Sequence, residues 1–359
     1  MKQLPSLNGL RAVSILIVLV YHTLGANLHD NKSLLYNIPF FNGEFGVNVF
    51  FVISGFLITS LLLKEEKEGG SISLKDFYMR RALRIFPAYY FLLFVYYVLQ
   101  KFDIIHIPGG SWLTSLLYVK YINYNDDVYT GHAWSLSIEE NFYFFWPFVF
   151  LLGDKVRRYT ALALVGVVPC FRLFLYFHPI TWIDELSFFV RIDSIATGCL
   201  CALYKDKIIK FLSPFWWDAV LIALTTLFIW PWLGQLVHGT FAIYIFVAFG
   251  VLSGTVVNVI IVIVMMYAVY GPKGSLYKVL NTRLFNYIGV LSYSLYLWQQ
   301  FFMTRTRFWG TQFPQNWLFI VAAALFSYYI IEKPFLSLKS RFKGKRKAPN
   351  PIGVSAVSV

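Results

Sequence analysis

The sequence predicts an all-α fold, a polytopic membrane helix bundle, and three observations carry that reading. Apolar runs of about 18 residues or more recur along the chain, long enough to cross a bilayer core as helices. Only 14% of the residues are charged, against about 25% in a soluble domain. The mean hydropathy is +0.61. One bundle accounts for nearly the whole length, and no stretch has the composition of a separate soluble domain.

The first span covers residues 8–26 and contains LRAVSILIVLVYHTL, an apolar run interrupted by Arg11 and His22. With Lys2 and Arg11 ahead of its apolar core, it resembles a signal sequence. Its cleavage site at Leu24-Gly25-Ala26 is poorly formed and cleavage would discard His22, so an uncleaved helix is expected. The second span is 45–63. A charged loop, 64–84, follows and ends in a basic segment read as a short interfacial helix. The third span is 85–100, with Pro87 in its first turn. Residues 101–131 are mixed, and Trp112–Ile122 is too short to span, which leaves a re-entrant or interfacial piece.

The fourth span, 133–152, carries WSLSIEENFYFFWP. The remaining spans are 159–177, 188–204, 215–233, 240–270, 285–303 and 316–335. Residues 1–338 thus form the membrane domain. Residues 339–359 read as a basic, disordered cytoplasmic tail.

Ten spans put both termini on one side of the membrane. That side holds 24 of the 31 Lys and Arg residues. Five lie on the other side (Lys32, Lys101, Lys120, Arg305 and Arg307), and Arg172 and Arg191 lie within helices. Because basic residues collect in cytoplasmic loops, both termini are expected in the cytoplasm of a multi-pass protein of a bacterial inner membrane. Dividing 240–270 into two helices would move the basic tail outside, so one tilted helix is expected there. The same bias explains most of the +13 net charge as topology and removes the need for a nucleic-acid partner. Cys170, Cys199 and Cys201 fall in apolar runs with neither metal spacing nor an even disulfide set, so they read as small core residues and no metal is expected.

Depth can be read from the helical rise of about 1.5 Å per residue. His22 falls about 5 Å outward of mid-membrane, Glu139 and Glu140 about 4 to 6 Å, and Arg191 and Asp193 about 4 to 8 Å. Arg172, Asn48 and Gln299 lie in the same half. A second layer, at the cytoplasmic face, holds Arg11, Arg80, Arg81, Arg84, Glu332 and Lys333. Intramembrane ionisable groups are costly and mark partners or function. Two adjacent carboxylates require a proton, a cation or water. Arg80, Arg81 and Arg84 have two readings: loop topology, or an anion site, because Arg forks match phosphates. Arg191 and Asp193, two residues apart, do not face each other and are expected to pair elsewhere. Glu332-Lys333 reads as a snorkelling helix end.

Several stretches in order, RAVSILIVLVYH, GVNVFFVISGFLI, RRALRIFPAYY, HAWSLSIEENFYFFWP, YIGVLSYSLYLWQQ and YYIIEKPF, resemble the acyltransferase-3 family of integral membrane O-acyltransferases, over about residues 5 to 338. The resemblance implies an acetyl or other short acyl group taken from cytoplasmic acyl-CoA, probed first as acetyl-CoA. It implies delivery to a hydroxyl of a cell-surface glycan or lipid-linked saccharide. His22 and Arg11 match the family's essential His and Arg; Arg80, Arg81 and Arg84 match its basic motif, and Glu139 its helix-4 acid. Asn141 stands where the family has glutamine, and Gln299 where it often has histidine. Many relatives carry a further extracytoplasmic domain, so the resemblance implies that the bundle itself, or a separate extracytoplasmic partner protein, meets the acceptor.

Acyl transfer to an alcohol needs a base and a stabilised oxyanion. His22 is the expected general base, with Glu139 orienting it as the third member of a triad would. Arg11 and the loop arginines are expected to hold coenzyme A phosphates. Asn48 and Ser54 are candidate oxyanion donors, and Asn48, Glu140, Arg191 and Asp193 candidate substrate contacts. Direct transfer is the first expectation and an acyl-histidine relay the second. The competing class is a polysaccharide or lipid-linked sugar transporter or flippase without covalent chemistry, which also predicts intramembrane charges; the repeats and broken helices common in transporters are not evident.

Overall fold

A computed structural model describes residues 4, 6–27, 38, 42–180, 188–236, 242–304 and 309–342. Lys2, Lys32, Arg305, Arg307 and the tail from residue 343, all used in the charge count, lie outside the described residues. Each of the ten apolar runs forms a helix. They are α1 (Leu7–Asn27), α2 (Gly43–Gly69), α3 (Leu74–Lys101), α4 (Ala133–Leu151) and α5 (Asp154–Phe177) in the first half. The second half holds α6 (Phe188–Leu203), α7 (Trp216–Leu236), α8 (Ala242–Tyr270), α9 (Arg283–Met303) and α10 (Gln315–Leu338). No strand occurs among the described residues, and seven helical stretches are long and apolar enough to cross a membrane. The chain is a polytopic helical membrane protein. Of the 240–270 run, the described residues Ala242–Tyr270 form one continuous helix, α8.

The structure corrects the sequence reading at α3. The basic segment is no separate interfacial helix but the first turns of α3, which runs unbroken from Leu74, so Pro87 sits inside it rather than in its first turn. The helix starts early because Ser73 caps it, accepting from the Asp76 amide at 3.3 Å, and because α2 is stopped sharply by Gly70 in the left-handed conformation (φ 76°). Charges lower hydropathy without breaking a helix, so the helix outlasts the apolar run. Trp112–Ile122 resolves into a short helix, Gly109–Leu116, and a 3₁₀ turn, Lys120–Ile122.

Close backbone approach sets the bundle. α1 is gripped on two sides. A Cβ built on Gly289 of α9 would lie 2.0 Å from the Asn8 carbonyl oxygen, and Ser14 donates its hydroxyl to the Gly46 carbonyl of α2. Higher up, Thr23 approaches Met303 Sδ at 3.9 Å, so α1 and α9 run parallel, with residue 8 level with 289 and residue 23 level with 303. α2 crosses α6 at Gly55 and Gly198. Built Cβ atoms there would lie 1.9 Å from Ile195 O and 2.1 Å from Val52 O. Small residues at such crossings let helices meet where lipid supplies no hydrophobic drive. Near this crossing Asp193, fully buried on α6, pairs with Arg172 of α5 and accepts from the side chains of Thr255 and Asn258 of α8, the latter two each at 3.3 Å.

Gly198→Ala is therefore expected to lower the thermal midpoint of the detergent-purified protein by several degrees, since the new carbon meets backbone rather than a movable side chain; overpacking costs about 1–3 kcal/mol. Gly166→Ala, where nothing lies within 4 Å, is the control and is expected to be neutral or mildly stabilising. Equal midpoints for wild type and Gly198→Ala would contradict the packing account.

Candidate active site

Nothing in an apolar bundle tolerates an unpaired arginine, so the arginines locate the site. A cavity of about 400 Å³ opens between α1, α2, α3, α4 and α9. Arg11, Arg80, Arg81, Arg84 and Lys339 line it, against a single lining carboxylate among the described residues, Glu139. Its apolar wall includes Phe51, Ile53 and Leu57 of α2, and its inner end carries Ser135 and Tyr296. The set suits an elongated anion with an apolar portion: cations at one end, a greasy wall and hydroxyls at the other.

The early start of α3 projects Arg80, Arg81 and Arg84 from one helix end. Arg80 turns to the rim, donating to Glu65 at 2.5 Å and to the Phe342 carbonyl at 2.8 Å. The Arg81 guanidinium lies 3.4 Å over the Tyr143 ring and 3.6 Å from Glu140 Oε1, so it is stacked and paired at once. The adjacent carboxylates are thus separated by function. Glu140 meets Arg81, while Glu139 accepts from the Ser54 hydroxyl and from Tyr143 Oη at 3.3 Å. Arg11 lies within electrostatic reach of Glu139, Glu332 and Arg84. Lys339, just past α10, is brought down to about 8, first by burial and then by the charges of Arg84, Arg81 and Arg80.

Two sequence expectations change here. Glu332 is not a snorkelling end. It is 4% exposed, sits in a π-helical turn (Ser327–Glu332), accepts from the Ser294 hydroxyl and faces Arg84 and Arg11. Such turns concentrate at functional positions. Glu139 sits against Ser54 and Tyr143, with no hydrogen bond or ion pair to His22 among the described residues. The estimated depths put Glu139 near His22 and Arg11 in a separate layer, but rise alone does not give azimuth or tilt, and the structure merges Glu139 with the arginines.

His22 lies outside the cavity. Eleven residues are close to three helical turns, so it shares a face with Arg11, about 16 Å along α1. Its neighbours are the Tyr21 ring, at 5.2 Å between centroids, and the imidazole of His132, with which it interacts electrostatically. His132 is buried at the start of α4. Its carbonyl accepts from Tyr296 Oη at 2.7 Å, and its ring nitrogens face the backbone of Tyr129 and Leu297 without a well-formed hydrogen bond. Tyr296 also lies 2.6 Å from Ser135 Oγ, so one tyrosine joins the cavity's inner end to the imidazole pair.

His132, Tyr143 and Tyr296 escaped the sequence reading. His132, Glu139 and Tyr143 are spaced by seven and four residues, one face of α4, and that spacing was the available signal. Asn48 is buried on α2 but does not line the cavity. Arg191 pairs with Glu44 at 2.9 Å, and Asp193 with Arg172, both away from the cavity. Asn141 donates to the carbonyls of Tyr118 and Ser137, each at 2.7 Å. Among the described residues no three His, Cys, Asp or Glu side chains converge as a metal site.

Residues 4–331 match the family model described as "Acyltransferase domain". The chain is similar to the peptidoglycan O-acetyltransferase OatA of Listeria monocytogenes, 27% identical over 85% of this chain and 50% of that protein. It is similar to the O-acetyltransferase OatA of Staphylococcus aureus strain NCTC 8325, 30% identical over 83% of this chain and 50% of that protein. A relative in S. aureus strain COL is 30% identical over 93% of this chain and 58% of its own length. The chain thus spans about half the length of the curated relatives it matches. No solved structure matches it. With the family match running through every helix that builds the cavity, the chain belongs to the acyltransferase-3 family.

Proposed function

We propose that this protein is a membrane O-acetyltransferase that takes an acetyl group from acetyl-CoA on the cytoplasmic side and passes it to a saccharide hydroxyl on the other. The observation that carries this is the cavity with five cationic side chains and one carboxylate among its described lining residues, joined through Tyr296 to an imidazole pair made by His132 of α4 and by His22, which shares the Arg11 face of α1. The relatives named as O-acetyltransferases support the reaction class, and the one named for peptidoglycan supports a glycan acceptor. The basic bias of the loops supports cytoplasmic termini and an inner-membrane location.

In this reading Arg80, Arg81, Arg84 and Lys339 hold the phosphates of coenzyme A, and Arg11 meets the deeper part of the donor. Glu139 and Glu332 keep Arg11 and Arg84 inside the bundle. The thioester arm runs along α1 past Tyr296 toward His22. The His22 imidazole takes the proton of the acceptor hydroxyl as its oxygen attacks the thioester carbonyl; the tetrahedral intermediate collapses, the carbon–sulfur bond breaks, and the proton passes to the departing thiolate. Ser54, already donating to Glu139, serves the donor's wall rather than an oxyanion.

The direct test is purified protein with radiolabelled acetyl-CoA and a soluble chito-oligosaccharide. Labelled saccharide is expected; saccharide movement without covalent product would favour a transporter. His22→Ala, at equal folded protein, is expected to lower turnover by about 10²–10⁴-fold, and normal turnover would remove the base assignment. Arg84→Gln is expected to raise KM for acetyl-CoA about tenfold, the equivalent of ~1.4 kcal/mol, with little change in kcat. Lys339 carries its charge below about 8 and loses it above, so the KM for acetyl-CoA is expected to rise as pH passes that value. Lys339→Gln is expected to flatten that rise; an unchanged pH profile in the variant would exclude Lys339 from donor binding.

A further inference from the structure

A second and larger hollow lies at the far end of α3, away from the basic cavity. It has a volume of about 1010 Å³ and is formed by the last turns of α3, the loop after it and the short helix Gly109–Leu116. We propose that this groove is a docking site for a neutral saccharide chain, the acceptor's own subsite; the proposal rests on the acetyltransferase reading for the acceptor's role but not for its chemistry.

The lining carries two kinds of surface. Tyr90, Phe94, Tyr97 and Trp112 give aromatic faces, with Tyr97 and Trp112 meeting edge-on at 6.4 Å between centroids. Gln100, Lys101, Asp103 and His106 give donors and acceptors beside them. A sugar ring presents apolar C–H faces and a polar rim of hydroxyls, and this combination matches it. A lipid tail would leave Lys101, Asp103 and His106 unused. Lys101 and Asp103 offset each other, so the groove offers no net charge for a phosphate headgroup, in contrast with the five-cation cavity. An aromatic belt facing lipid needs no concave wall; these rings line one.

The groove is also built rather than incidental. Gln100 Oε1 accepts from Trp112 Nε1 at 3.1 Å and from the Ile107 amide at 3.0 Å, fixing the wall to α3. Behind the short helix, fully buried Lys120 pairs with Asp127 at 2.8 Å and donates to Ser111 at 2.8 Å. Burial pushes Asp127 up, but Lys120 and Thr130 hold it below the ordinary carboxylate range. Asp127 also receives the Thr130 amide and hydroxyl, each at 2.6 Å. Tyr129, between these residues, lines the groove, and His132 follows three positions later. The segment that shapes the groove therefore delivers His132 beside His22. With cytoplasmic termini, α3 runs outward and the groove faces the side on which an acceptor glycan would arrive.

The experiment uses the full chain in lipid nanodiscs and chitopentaose as probe, with binding read by calorimetry without donor. Trp112→Ala and Tyr97→Ala are expected to weaken binding tenfold or more. Asp103→Asn, which suits the left-handed backbone at that position (φ 54°), and His106→Ala, both on the exposed rim, are expected to weaken it several-fold and carry little folding risk; retained acetyl-CoA binding reports folding in all four. Saccharide binding that is absent in the wild type, or equal in all variants, overturns the groove. So does a lipid that co-purifies in the groove and is not displaced by saccharide. Acetyl transfer to the same probe is measured in parallel: groove-dependent binding without transfer keeps the docking site and removes the acetyltransferase reading.

Discussion

Holding a half-buried Arg11 inside the bundle is the constraint on which the rest depends. An arginine cannot be neutralised by losing its proton, so the bundle must bring counter-charge to it. It does so from opposite ends of the sequence: Glu139 comes from α4, Glu332 from the π turn of α10, and each carboxylate is itself held by a serine hydroxyl, Ser54 or Ser294. The grip on α1 by Gly289 of α9 and by the Ser14 hydrogen bond to Gly46 of α2 sets the azimuth at which Arg11 faces them. Removing one member of such a set leaves charge uncompensated, so this electrostatic grouping helps to specify the fold.

The same helix connects two chemistries. Its near-integral three turns put His22 on the face of Arg11, and α9, parallel to it, supplies Ser292 and Tyr296 along that face. One end of the line gathers cationic side chains and the other a pair of imidazoles. In the acetyltransferase reading proposed above, separation of this kind is what would keep a charged donor on one side of the membrane while the acceptor is met on the other.

The ten helices were legible because hydropathy and span length are coupled by the bilayer, and α8 was correctly read as continuous from the charge bias of the loops. The start of α3 was not legible, because a helix that emerges from the bilayer continues through charged residues that end the apolar run. Arg11, Arg80, Arg81, Arg84 and Glu139, singled out in the sequence by residue type and by the family resemblance, all line one cavity. The partnership of Glu139 with Ser54 and Tyr143 was not legible, since rise along an axis carries no azimuth. Glu332 was misread for a related reason: a π turn redirects a side chain without leaving a mark in hydropathy. Arg191 and Asp193 show the converse, intramembrane charges whose partners, Glu44 and Arg172, make them braces between helices.

The central claim is that an acetyl group crosses the membrane along α1. It is tested most directly in inside-out vesicles carrying this protein, with radiolabelled acetyl-CoA outside and chitopentaose sealed in the lumen. The account predicts labelled saccharide in the lumen while acetyl-CoA stays outside. Product that forms only when donor and saccharide share one compartment would contradict it.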